Sequence, residues 1–171
     1  MEHDNDLELD IEALKNQIKQ DVAQPKLTPD QLHTALERYV DTLNNLNAQQ
    51  FRKGLHDVMA RNVYFKDPFN EVRGLADVED VFAKLFADHP NAALRVHTHA
   101  GRGDTGYVEW RLFYTDTSGQ PQHRNVISKL LFDENGKVRA QMDYWDSGEY
   151  YFRRLPLLGP LLDWLARRKS A

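Results

Sequence analysis

The sequence predicts an α+β domain whose helices pack on one side of a curved sheet. Three observations lead there. Apolar residues recur at helical spacing through most of residues 28–87, interrupted by one short apolar strand around Val63. After His89-Pro90 the period changes to two. From Ala92 onward the alternating runs are separated by short turns, the pattern of an antiparallel meander. Helices gathered before the strands, instead of alternating with them, is the order expected of α+β.

The elements follow in order. Residues 1–27 form an acidic arm with a weak helical stripe from about Asp10 to Val22, stopped by Pro25. Thr28-Pro29-Asp30-Gln31 is a helix start, with a hydroxyl N-cap, proline at the first helical position and a glutamine placed to complete a capping box. Leu32, Ala35, Leu36, Tyr39, Val40, Leu43 and Leu46 then share one helical face. A second short helix is expected from about Ala48 to Met59 and a third from Leu75 to Ala87. Strands are expected at Ala92–Thr98, Gly106–Thr115, Gln122–Phe132 and Lys137–Trp145, with Asp133-Glu-Asn-Gly136 as a hairpin turn. This gives an arm (1–27), a domain (28–146) and a helical tail (147–171).

Composition limits the function. The chain has 171 residues, 41% hydrophobic and 28% charged, enough for one core. A formal charge of -4 gives no electrostatic case for nucleic acid. With no cysteine, disulfides and thiolate chemistry are excluded. No basic-then-apolar leader and no run of about 20 apolar residues is present. These features fit a cytoplasmic protein. The tail, Leu155-Pro-Leu-Leu-Gly-Pro-Leu-Leu-Asp-Trp-Leu165 flanked by arginines, suits a lid, a dimer contact or a peripheral helix on the inner membrane surface, and the sequence leaves these open. His97 and His99 lack a clear third ligand, so no metal is expected. Gly101-Arg-Gly103 lacks a strand-to-helix context, so no cofactor is expected either.

The most informative stretch is Val63-Tyr-Phe-Lys-Asp-Pro-Phe-Asn-Glu-Val-Arg-Gly74. It reads as an apolar strand ended by Pro68, then a loop closing on Gly74. Asp67 is left at the mouth of an apolar surface. There it is either a proton-transfer group or a turn residue, since aspartate before proline commonly caps its own turn.

This order of elements resembles the nuclear transport factor 2-like superfamily, which includes SnoaL-like polyketide cyclases, ketosteroid isomerases and limonene-epoxide hydrolases. Arg38-Tyr39-Val40-Asp-Thr-Leu43-Asn44 looks like the isomerase helix whose tyrosine donates to an oxyanion. Asp67-Pro68 with Arg73-Gly74 looks like the segment bearing the base. Gly136-Lys137-Val138 and Asp143-Tyr144-Trp145-Asp146 look like the last strand of the hydrolases and cyclases, where an aspartate does acid/base work. The resemblance implies a cone: a bent antiparallel sheet wrapped by helices around an apolar pocket. It also implies candidate catalytic residues Asp67, Tyr39, Asp143 and Ser128, the last at the place of a second oxyanion donor. The hydrolases' Arg-x-Asp pair is met here only by Glu109-Trp110-Arg111, with the signs reversed.

Two readings follow. In the first, Asp67 is a base made stronger by desolvation among Tyr64, Phe65 and Phe69, in a pocket also lined by Trp110, Leu112 and Trp145. Tyr39 and Ser128 then donate to an oxyanion, and an apolar or lipid-like substrate is isomerised or cyclised. In the second, the cone binds a ligand or pairs with a second copy through its sheet, without catalysis. Glu109 and Arg111 then lie on a solvent or dimer face, and Trp110, Trp145 and Met142 fill the interior.

Overall fold

Helix α1 (Pro29–Asn45) starts where the capping signal lies. The Gln31 amide donates to Thr28 Oγ1 at 3.2 Å, and the Thr28 amide donates to Gln31 Oε1 at 2.8 Å. Two otherwise orphaned donors are thereby satisfied reciprocally. The structure, a computed structural model, describes residues 27–147 apart from Thr117. The expected helix of the arm and the tail beyond Ser147 lie outside the described residues.

After α1 come α2 (Phe51–Val58), β1 (Met59–Lys66), β2 (Glu71–Arg73), α3 (Leu75–Asp88), β3 (Ala93–Arg102), β4 (Thr105–Thr115), β5 (Pro121–Phe132) and β6 (Val138–Tyr144). The loop expected before Gly74 contains β2, an edge strand antiparallel to β1 through Tyr64↔Arg73 and Lys66↔Glu71. Gly74 precedes α3 with φ at +100°, a conformation open to glycine and strained for other residues. Strand β3 runs past Thr98 into the expected loop at Ala100–Asp104. It carries a bulge between Val96 and Thr98 where His97 falls out of register.

The six strands form one curved, unclosed sheet in the order β2-β1-β6-β5-β4-β3. All neighbours are antiparallel except β1 and β6, which run parallel. That pairing brings the C-terminal ends of β1 and β6, and so Asp67 and Asp143, to the same edge of the domain.

One face of the sheet is buried against the helices. Along β4, Val108, Trp110, Leu112 and Tyr114 are buried, while Tyr107, Glu109 and Phe113 on the other face are exposed. Along β5 the buried set is Val126, Ser128, Leu130 and Phe132. Helix α1 sits on this face through Leu36, Tyr39 and Leu43. Its close approach needs Gly106: a Cβ there would stand 2.9 Å from Leu36 Cδ1 and 3.1 Å from Phe132 Cε2. Polar ties fix its register, with Arg38 Nη2 donating to the Gly136 carbonyl at 2.6 Å and the Val96 amide donating to Asn44 Oδ1 at 2.8 Å. Among the described residues no helix is long and apolar enough to cross a membrane.

Candidate functional site

The inner face carries a polar cluster inside an otherwise apolar core. Ser128 on β5 and Asp143 on β6 are direct cross-strand partners, and Val108 on β4 completes their row. The adjacent row holds Leu130, Gln141 and, across the parallel pair, Phe65. Ser128, Gln141 and Asp143 are the buried polar residues of the described chain. Buried polar groups need partners, and here they find each other. Trp110 Nε1 donates to Ser128 Oγ at 2.8 Å, and Ser128 Oγ donates to Asp143 Oδ1 at 2.6 Å. Gln141 Nε2 lies 3.0 Å from both Asp143 oxygens. The Tyr39 hydroxyl, brought down by α1, donates to Gln141 Oε1 at 3.0 Å.

Each donor in this chain points toward Asp143. Its carboxylate is 8% exposed, and burial pushes its pKa up to about 7. Hydrogen bonds from Ser128 and Gln141 work against that rise, and the charge of nearby Asp67 adds to it. Burial, then the charge of Asp143, holds the Tyr39 hydroxyl well above its ordinary range, with hydrogen bonds to Ser128 and Gln141 opposing. Tyr39 is therefore a protonated donor at neutral pH. Asp143 Oδ1 takes hydrogen bonds from both Ser128 and Gln141, while Oδ2 takes one from Gln141 alone, so Oδ2 is the oxygen with room for a proton.

Asp67 has a different setting. Its Oδ1 accepts from the Phe69 and Asn70 amides, both at 2.7 Å, and Asn70 Nδ2 lies 3.0 Å from each of its oxygens. The Asp67 amide closes the same turn on the Asn70 carbonyl at 2.9 Å. Both carboxylate oxygens are engaged by its own loop, which is the turn reading of Asp-Pro. It remains close enough to Asp143 to act on it through charge.

The expected pocket residues divide. Phe65, Trp110 and Leu112 are buried on the inner face. Tyr64 is not among them: strand alternation turns it to the opposite face from Phe65, where its hydroxyl donates to Glu71 at 2.9 Å and the Arg73 guanidinium lies over its ring. Phe69 is 50% exposed and meets the edge of Trp145, with ring centroids 5.1 Å apart. The Arg124 guanidinium sits 4.0 Å above Trp145. Phe69 lies at the rim, while Trp145, half-buried, packs against the core from there. Met142 lies half-buried, opposite Lys129 and Lys66. Glu109 and Arg111 share the outer face, where Arg111 Nε donates to Asn125 Oδ1 at 2.7 Å. His99 contacts Glu37 at 2.7 Å.

The model of the SnoaL-like domain matches residues 36–141, more than half of the chain. The chain belongs to the SnoaL-like domain family. Solved structures with the same architecture include a provisionally assigned SnoaL-like polyketide cyclase from Jannaschia sp. CCS1, 19% identical, with 72% of this chain covering 92% of that one at a TM-score of 0.60. AclR from Streptomyces galilaeus, provisionally assigned as a hydroxylase, is 17% identical, covered to 92% by 82% of this chain, also at 0.60. TerC, co-crystallised with polyporic acid, is 14% identical, covered to 95% by 71% of this chain, again at 0.60. Identities this low establish the nuclear transport factor 2-like fold alone. No curated protein matches the chain.

Gln141 escapes a reading of the sequence. Counting in twos from buried Val138 puts residue 141 on the outer face. The pairings Phe132↔Val138 and Leu131↔Ala140 show one extra residue on β6, Arg139, and this bulge reverses the alternation beyond it. Gln141 and Asp143 point inward as a result. In the sequence Arg139, Gln141 and Asp143 alternate like the polar face of a strand, so no local signal marks Gln141 as buried.

The raised pKa of Asp143 has a sign that stability measurements reveal. Between its ordinary value of 3.8 and about 7, the folded state keeps a proton the unfolded state has lost. Stability therefore falls as pH rises through that window, by about 1.4 kcal/mol per pH unit from this group. Asp143→Asn removes that dependence: in urea titrations the variant gains on the parent as pH rises from 4 to 7, and the difference levels off above. A pH-independent difference would contradict the assignment.

Proposed function

We propose that this SnoaL-like domain binds an apolar small molecule against its inner face and transfers a proton on it, in the manner of an isomerase or cyclase. Asp143 is the base. The observation that carries the reading is the convergence of Trp110, Ser128, Gln141 and Tyr39 on one buried carboxylate whose pKa is raised to about 7. A base is most useful when its pKa lies near the working pH. The family supports the class of reaction, and the geometry supports this residue over Asp67.

The chemistry balances without a co-reactant. Asp143 Oδ2 takes a proton from carbon next to a carbonyl, and the electron pair moves into an enolate. In this reading the hydroxyls of Tyr39 and Ser128, which donate to Gln141 and Asp143 in the structure, turn to the enolate oxygen, and charge stabilisation of this kind is often the largest catalytic contribution. The proton then returns to a different carbon, or the enolate closes a ring onto an internal carbonyl. In both cases the carboxylate is regenerated. Phe65, Trp110 and Leu112 are buried on the same inner face and give the base its apolar surroundings.

Turnover of an activated enone tests this. Asp143→Asn is expected to lower kcat/KM by about 10²–10⁴-fold with the fold intact. Asp67→Asn, which alters a loop cap, is expected to stay within about tenfold of the parent. The parent's kcat/KM rises with pH to a plateau above about 7, as the base ionises. Full activity in Asp143→Asn sinks the reading.

A second, non-catalytic reading has its own observation. The outer face of the sheet exposes Tyr107, Phe113, Ile127 and Tyr144, with Ile127 paired beside Glu109 and Tyr144. An apolar sheet face of this kind suits a homodimer. Sedimentation of the parent as a dimer, weakened at least tenfold by Ile127→Asp, would support it. A parent that stays monomeric at high concentration would remove it.

A further inference from the structure

A concave site lies away from Asp143. The start of α1 and the β3–β4 turn enclose a cavity of about 340 Å³, lined by Leu27, Leu32, Leu36, His33, His99 and Arg102 among others. Thr105, where β4 leaves this turn, is three residues from Val108 in the Ser128 row, about 10 Å along the strand. The cavity has the size of a small ligand site.

Its walls differ in chemistry. Leu27, Leu32, Leu36 and Pro29 give an apolar floor. The turn can lie close over that floor because Gly101 has no side chain: a Cβ there would stand 3.0 Å from Leu32 Cδ2 and 3.2 Å from the Thr105 carbonyl. The rim carries Arg102 and two histidines, His33 and His99. Arg102 forms no ion pair with any described residue. His99 and His33 both approach Glu37, at 2.7 and 3.8 Å. The other acid at this end, Asp104, accepts the Leu27 amide at 3.0 Å. Two carboxylates are thus already engaged, and Arg102 is left facing an apolar space.

We infer that this cavity binds an apolar carboxylic acid, with its chain on Leu27, Leu32 and Leu36 and its carboxylate on Arg102. Arginine matches a carboxylate with two parallel N–H donors, and such charge-assisted bonds are the stronger kind. The rim histidines add donors that a neutral alcohol would use less well. The site is separate from the proton-transfer centre and does not depend on it.

The test is an amide NMR titration of the full-length chain with octanoate, octan-1-ol and octylammonium. Octanoate is expected to shift Leu32, Ala100, Gly101 and Gly103 saturably and to leave Ser128 and Asp143 unmoved. Octan-1-ol and octylammonium should bind at least about tenfold more weakly, and Arg102→Gln should lower octanoate affinity by about tenfold or more. Arg102 is exposed, so the variant's unchanged spectrum elsewhere confirms its fold. Absent or unsaturable shifts, equal binding of the alcohol, or an unaffected Arg102→Gln would each overturn the inference. Shifts confined to Ser128 and Asp143 would assign octanoate to the other site and overturn it as well.

Discussion

A carboxylate kept out of water is expensive to fold around, and the centre of this domain is arranged about one. An isolated buried charge costs far more than a typical domain's net stability. Asp143 is tolerated because Ser128 and Gln141 donate to it directly, while Trp110 and Tyr39 engage the far ends of those two side chains. The compensation is incomplete, and burial still lifts the pKa to about 7. That leaves a group that both holds and releases a proton near neutrality.

The backbone determines which side chains can take part. The bulge at Arg139 changes the phase of β6, so that residues 141 and 143 face inward. The parallel pairing of β1 with β6 then sets Phe65 beside Gln141 and leaves Asp67 beyond the strand end, near Asp143. Helix α1 reaches the cluster because Gly106 lets Leu36 settle close to the sheet. The electrostatic effect of Asp67 is of the same kind: a loop cap placed close enough for its charge to raise the pKa of Asp143.

Much of the architecture was legible because its signals are local. The Thr28–Gln31 cap, the helical stripe through Tyr39 and the Asp133–Gly136 turn can each be read from a few neighbouring residues. The parallel edge was not, since nothing local says which distant strand β1 will pair with. The site was legible only in part. Tyr39, Ser128 and Asp143 came from resemblance, and the structure brings them into one cluster. Gln141 was hidden by a bulge that reverses the strand's alternation. Asp67 could not be decided from sequence, because a proton-transfer aspartate and a turn aspartate before proline look alike until the hydrogen bonds of Phe69 and Asn70 are seen. Tyr64 and Phe65 are chemically alike neighbours, and only the direction of the strand face separates an outer-face residue from a core one.

The most direct measurement is a carbon-13 carboxyl NMR titration that follows Asp143 alone. The account requires its midpoint near 7, and it requires Ser128→Ala to move that midpoint upward by removing a donor to the charged form. A midpoint at the ordinary aspartate value, near 4, would mean the carboxyl is solvated, and the proposed chemistry would have no base.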